Sequence, residues 1–282
     1  MVQDHVPARV WRFKSSLRHS EASSDWARLF CVPGPPAGRI RDMQPTLTIS
    51  VLLSTLAAGL CWSASGERGF SDARRNAEAA ATPAGYVYVA GGDCWLGTDD
   101  PDAEEDAQPR RRAFVPSFYI GRCEVTQAEW KRFRPKHHVP PGGEHLPITN
   151  ILRADALAYC RSVGGRLPTD TEWEKAARGP DGRRYPWGDV FSHSLCNLAR
   201  PSATAPATCA LPGARKGLKA VDSTPGGASP YGALNMAGNA WEWVSDDYAD
   251  DPARGIIRGG AVGYPELAAR TYQRAIEGTG VT

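Results

Sequence analysis

The chain has 282 residues, 41% hydrophobic and 23% charged, which is ordinary for a globular protein and enough to bury a sizeable core. Its 33 basic against 31 acidic residues leave a formal charge of +2, too balanced for the phosphate-backbone footprint of a nucleic-acid binder, so that class is excluded. With 29 Gly and 23 Pro beside nine Trp and nine Tyr, the composition predicts ordered turns and aromatic packing with few long helices.

Residues 1–42 show no sustained periodicity and read as an unstructured leader. Leu47 to Trp62 is apolar and uncharged, short for a membrane span, and followed by the small residues Ser63, Ala64 and Ser65. Residues 43–65 therefore read as a signal peptide, with Arg39 and Arg41 as basic residues just upstream, and predict an exported, periplasmic or extracellular protein. Membrane association would come only through this signal or an anchor, and Leu60 is bulky for lipid attachment at Cys61. Residues 66–84 are a polar, Ala-rich linker, and 85–282 form the folded domain.

Of the seven cysteines, Cys94, Cys123, Cys160, Cys196 and Cys209 survive signal removal, an odd number that leaves at least one unpaired or paired between chains. There is no CxxC, which disfavours a structural zinc site. Cys196 and Cys209 flank a Pro/Ala-rich loop and are the expected local disulfide, while Cys160 reads as a small buried hydrophobe on a helix.

The domain opens with Tyr86 to Ala90 and Cys94 to Gly97 around Gly91-Gly92, a predicted hairpin. The acidic loop Asp99 to Asp106 lacks the EF-hand glycine and terminal glutamate and reads as solvated, closed by Pro109 and Arg110 to Arg112. A strand is predicted over Ala113 to Ile120. Thr126 and Glu129 form a capping box for a short helix carrying Trp130 and Phe133, and a second helix spans Asn150 to Val163, ended by Gly164-Gly165. His137, His138 and His145 lie in a Pro/Gly-rich loop and read as surface histidines. Thr169 and Glu172 cap a third helix, with Lys175 and Arg178 suited to its negative end and Gly179 to its cap. Tyr185 to Asp189 is an aromatic turn, and Ile256 to Ala261 a last strand with a bulge or turn at its glycines.

Five segments, in this order, resemble the formylglycine-generating-enzyme (sulfatase-modifying-factor) family: EVTQAEWKRF from Glu124, GGRLPTDTEWEKAARG from Gly164, RYPWGD from Arg184, NMAGNAWEWVSD from Asn235 and IRGGA from Ile257. The resemblance implies a compact, loop-rich α+β domain of C-type-lectin-like architecture with little regular secondary structure. It also implies a closing Gly-Phe-Arg strand that this sequence does not reach, so the C-terminal strand is expected to be missing.

The family holds a structural calcium ion around the motif matched by NMAGNAWEW. This carries over to the Asn235 side chain, the Gly238 and Ala240 carbonyls and the Glu242 carboxylate, a set of hard oxygens that suits calcium. A second family site would use Asn197 and the Leu198 carbonyl, but the acid it needs is replaced near Gly213 to Lys216 by Arg and Lys, so Asn197 is expected to be structural.

Active members oxidise a cysteine in a sulfatase's Cys-x-Pro-x-Arg segment to formylglycine, using oxygen and a copper(I) ion held by two cysteines after a Gly-Gly-Ser motif. Tyr264 and Ala269 occupy those positions here, and no cysteine follows Cys209, so copper is not expected and no catalytic residue is assigned. The expectation is an exported, non-oxidising binding or accessory module for a protein or peptide ligand, with a sulfatase among the candidates, or for a glycan. The alternative is a formylglycine-generating oxidase. The related iron-dependent sulfoxide-synthase branch is disfavoured because its histidines come from a separate helical domain.

Overall fold

The computed structural model describes residues 82–198 and 217–279, together with the backbone of residues 8–12. The expected signal segment and most of the linker lie outside the described residues. Among the described residues, eight short strands form three small sheets, with three short helices between them, which is the loop-rich α+β arrangement the sequence implies.

Strand β1 (Ala8–Arg12) falls within the stretch that reads as unstructured leader, yet it pairs in parallel with β5, Ala8 beside Phe118. The physical reason is an open edge: a strand paired on one side only offers a row of N–H and C=O groups to any extended chain. On its other side β5 (Phe118–Glu124) pairs antiparallel with β2 (Tyr86–Val89), Val87 opposite Ile120.

The predicted hairpin of Tyr86 to Gly97 does not form. Its second limb, β3 (Gly92–Leu96), pairs instead with β4 (Arg111–Val115) in a separate sheet. The chain crosses between sheets at Gly91, where a Cβ would lie 2.8 Å from the Ser117 nitrogen, and at Gly92, whose φ is +143°. The single strand predicted over Ala113 to Ile120 is likewise divided, because Pro116 falls between β4 and β5 and has no N–H to give a ladder.

Helix α1 (Gln127–Phe133) starts as predicted. Thr126 Oγ1 accepts from the Glu129 N–H, and Glu129 Oε2 accepts from the Thr126 N–H. Its Trp130 stacks at 5.7 Å on Tyr159 of α2 (Arg153–Ser162), and Phe133 meets both rings edge-on. α2 begins three residues later than predicted, since Asn150 is left-handed at φ +57°. Cys160 is fully buried in this aromatic cluster, as a small hydrophobe should be.

Helix α3 (Asp170–Arg178) carries the expected Thr169–Glu172 box and ends at Gly179, φ +73°. Lys175 and Arg178 lie in its last turn as expected, and they also reach beyond the helix. Both are buried: Lys175 Nζ donates to the carbonyls of Gly92 and Val115 on the β3–β4 sheet, and Arg178 donates to Gly97 O and Glu174. They act as struts between helix and sheet, a role that periodicity does not reveal.

The third sheet has β7 (Asp251–Arg258) between β6 (Glu242–Tyr248) and β8 (Arg274–Gly278). β8 pairs antiparallel with β7, Ile276 opposite Ile256, and gives the sheet a third strand that the sequence pattern does not predict. Trp243 and Trp173 are wholly buried, one in the cluster with Trp130 and Tyr159, the other with Phe118, Ile120 and Met236.

Arg258, at the end of β7, has no exposed surface. Its guanidinium donates to the carboxylates of Asp170 and Glu174 and to the carbonyls of Thr271 and Gln273. Arg274 adds a second cation on Asp170 at 2.7 Å, and Arg178 one on Glu174 at 2.6 Å. The helix, the sheet and the turn after β7 are thereby tied through one buried ion cluster. Burial on its own would raise the Asp170 carboxyl, but Arg258 and Arg274 outweigh it and hold the group below its ordinary value of 3.8.

A carboxyl depressed in the folded state contributes stability that is present above its unfolded value and is lost as pH falls through the folded one. The Asp170→Asn variant should lose about 3 kcal/mol of stability to urea at pH 7 and show a shallower further loss between roughly pH 5 and 2 than the wild type. An equally steep acid limb in both proteins would refute the assignment.

Candidate functional site

Two segments converge where the sequence placed its functional residues: the loop 235–242 ahead of β6, and the turn after β7. The turn is set by Gly259 and Gly260, both left-handed at φ +88° and +73°. A Cβ on Gly260 would lie 2.7 Å from the Ala268 carbonyl oxygen, and one on Gly259 would lie 3.2 Å from the Trp173 ring, so side chains are excluded at both. The Gly259 carbonyl in turn accepts from the Gly238 N–H at 2.6 Å, joining the two segments.

Tyr264 and Ala269 lie on the excursion beyond this turn. The Tyr264 ring meets Trp241 edge-on at 5.3 Å. Ala269 is completely buried in an apolar cluster with Tyr185, Cys196, Leu198 and Ala237, against which Tyr264 also packs. These two residues supply no thiolate, so they do not fit a two-cysteine copper(I) site. Cys196 is the one thiol in that cluster. It is free, its sulfur lies 3.5 Å from the Ser192 carbonyl, and burial pushes it up to about 11, which keeps it protonated and inert. Cys209, its expected bridge partner, lies outside the described residues.

The four residues expected around calcium occupy one short stretch. Asn235 is left-handed at φ +53°, and its Nδ2 donates to Glu124 and to the Val221 carbonyl, which turns its oxygen to the opposite side. Gly238 has φ +81°, and Ala240 is fully buried. Glu242 is also fully buried, and its Oε2 accepts from Trp173 Nε1 at 2.7 Å. One amide oxygen, two main-chain carbonyls and one carboxylate make a hard-oxygen donor set, and this fits calcium rather than a soft or redox metal. No three His, Cys, Asp or Glu side chains gather as a metal-holding group among the described residues.

Sequence reasoning missed the residue that holds this loop in place. Asn239, wholly buried and left-handed at φ +70°, donates through Nδ2 to Glu124 Oε1 and the Lys219 carbonyl, while its Oδ1 accepts from Asn197 Nδ2 and the Lys219 N–H. Its own N–H donates to the Asn197 carbonyl at 2.7 Å. Asn197 thus braces the loop, and Leu198 is buried among apolar side chains. The partner stretch near Gly213 to Lys216 lies outside the described residues. Left-handed asparagines are a legible signal in principle; Glu124, the acid that receives both amides, lies more than 110 residues earlier and is not.

The acidic loop is not simply solvated. Asp100 is held by Tyr272 Oη at 2.8 Å, Arg184 at 3.0 Å and Arg270 at 3.3 Å. The Tyr272 hydrogen bond, then the Asp102 N–H, keep its carboxyl below the usual carboxylate range. Beside it opens a polar cleft of about 560 Å³, whose walls include Asp99, Asp100, Arg110, Arg183, Arg184 and Tyr272. Within the predicted aromatic turn Tyr185 stacks on Trp187 at 5.5 Å and donates to Glu266. His137 rests against Gln127, and the loop histidines form no metal-holding cluster among the described residues.

Removing the amide at the hub should be costly, because it takes one buried donor from the Glu124 carboxylate and one buried acceptor from the Asn197 amide and the Lys219 N–H. Asn239→Ala is expected to lose about 3 kcal/mol in urea denaturation. A change under about 1 kcal/mol would show that the loop holds without it.

Comparison with known proteins agrees with this geometry. The chain is 33% identical over 203 residues to hercynine oxygenase of Mycolicibacterium smegmatis, covering 56% of this chain and 45% of that protein. It is 27% identical to the formylglycine-generating enzyme of Bos taurus, covering 58% of each. To the inactive C-alpha-formylglycine-generating enzyme 2 of Bos taurus it is 28% identical, over 61% of this chain and 74% of that one. The chain thus spans about half the length of the first two. The structure of PvdO from Pseudomonas aeruginosa superposes with a TM-score of 0.56 at 19% identity, covering 69% of this chain and 88% of that one, which shows a shared fold. The sulfatase-modifying factor enzyme 1-like domain model matches residues 71–280, and the chain belongs to that family.

Proposed function

We propose that this domain is a non-oxidising binding or accessory module, exported from the cell, that offers the family scaffold to a protein or peptide ligand. The observation that carries the reading is the packing at the two positions where active members hold copper. Ala269 is sealed inside an apolar cluster and Tyr264 lies against Trp241, so the side chains at the place expected for the reactive thiols carry no sulfur. The likeness to a relative named as inactive supports it. A sulfatase segment is the first ligand to test, since formylglycine-generating enzymes are among the relatives; a glycan is the other class. Export rests on the Leu47 to Trp62 segment of the sequence.

The competing reading is a formylglycine-generating oxidase. Incubating the protein with copper(I), oxygen and a Cys-x-Pro-x-Arg peptide should leave the peptide mass unchanged. Conversion of the thiol to an aldehyde would reject the accessory role.

Calcium is part of the same proposal. Asn235, Gly238, Ala240 and Glu242 would hold the ion and so fix the loop ahead of β6, with Trp173 orienting the Glu242 carboxylate through its indole N–H. The ion would serve as a strut and take no part in chemistry. Calcium should raise the melting temperature of the wild type, by mass action on the folded state, and should not raise that of Glu242→Gln, which keeps the side-chain shape and an acceptor for Trp173. An equal rise in both proteins would remove the assignment.

A further inference from the structure

The β3–β4 sheet has two faces of different character. Cys94, Leu96 and Val115 point inward against α3, while Trp95, Arg112 and Phe114 lie on the other face, where successive side chains of a strand must alternate. Phe114 is 68% exposed, a large aromatic left in water. Across from it in the ladder stands Asp93, and Trp95 stands across from Arg112.

Trp95 is the centre of this face. The Arg110 guanidinium lies 4.3 Å from its ring centroid and that of Arg112 lies 5.6 Å away. Gly182 packs close beside it, since a Cβ there would come within 2.8 Å of the Trp95 Cβ. The Trp95 side chain is blocked on that side, and the two guanidinia lie within cation–π reach of its ring.

The charges on this face are not balanced internally. Arg112 pairs with Asp93 at 3.2 Å, but both partners are more than half exposed, so that pair is weak and readily exchanged. The Arg110 side chain reaches the Asp181 carbonyl at 3.5 Å, and among the described residues it has no carboxylate within ion-pairing distance. The nearby acids are used otherwise: Asp181 pairs with Arg183, and Asp99 accepts the Arg110 backbone N–H.

Tryptophan, arginine and an exposed phenylalanine are residue types enriched at protein interfaces, and the first two dominate binding hot spots. We propose that the outer face of the β3–β4 sheet is a docking surface for an acidic protein segment that also carries aromatic side chains. The carboxylates would take the forks of Arg110 and Arg112, and the aromatic groups would cover Phe114. A polyphosphate backbone would satisfy the arginines but leave Phe114 uncovered, so an acidic polypeptide is the better match. The surface is separate from residues 264 and 269, so it stands whether or not the domain oxidises a thiol.

The test uses the full chain and a fluorescein-labelled peptide of alternating glutamate and tyrosine, followed by fluorescence anisotropy. Saturable binding is expected that weakens as salt is added, with no binding of the lysine–tyrosine counterpart. The double variant Arg112→Glu, Phe114→Ser should weaken binding about tenfold or more without lowering the melting temperature, because both side chains are exposed. Absence of binding by the acidic peptide would overturn the proposal. So would undiminished binding by the double variant, equal binding of the lysine peptide, or displacement of the acidic peptide by an oligodeoxynucleotide of matched charge.

Discussion

A guanidinium with no exposed surface is the constraint on which the rest of the domain depends. Arg258 must be neutralised where it lies, and its two carboxylates, Asp170 and Glu174, come from successive turns of one helix face. Removing a charge from water costs several kcal/mol, and only close, fully hydrogen-bonded partners offset it. The position of α3 relative to the third sheet is therefore narrowly fixed. Glu174 carries the constraint further, since it also accepts the Gly97 N–H at 2.7 Å and so anchors the end of β3. A domain with short strands and scattered cores is in this way held by polar links that run between its sheets.

The loop ahead of β6 is organised by a second network of the same kind, neutral amides around one acid. Asn239 reaches Glu124, Asn197 and Lys219 at once, and these contacts help to satisfy polar groups in the interior. The Asn239 N–H is tied to the Asn197 carbonyl and the Gly238 N–H to that of Gly259, while Glu242 accepts from Trp173. Segments far apart in sequence are thus tied to one loop.

The features legible in the sequence are local ones. Both capping boxes, the aromatic turn at Tyr185 and the burial of Cys160 arise from short-range patterns, and all are present. The hairpin expected at Gly91-Gly92 fails because strand pairing is a competition among segments further along the chain: β4 captures β3 and β5 captures β2, and no local signal ranks those partners. Lys175 and Arg178 lie in the last helical turn as expected, but their buried partners are hidden for a related reason. A cation in a last helical turn suits the macrodipole, yet here carbonyls of a neighbouring sheet offer stronger, desolvated partners. The Asp100 clasp is hidden because Arg184, Arg270 and Tyr272 reach it from distances of 84 to 172 residues along the chain. That Tyr264 and Ala269 fall where the family carries cysteines is, by contrast, an implication of the resemblance around Gly259-Gly260.

That pair of glycines has a wider consequence. The path of the chain after β7 is dictated by backbone meeting backbone, with the Ala268 carbonyl 2.7 Å from where a Cβ on Gly260 would sit. Nothing in that closure depends on the identity of the groups carried at 264 or 269. The turn is thus a main-chain device: its tight contact is made by Gly260 and the Ala268 carbonyl, and the excursion beyond it is anchored separately, where Tyr264 meets Trp241 and Ala269 is buried.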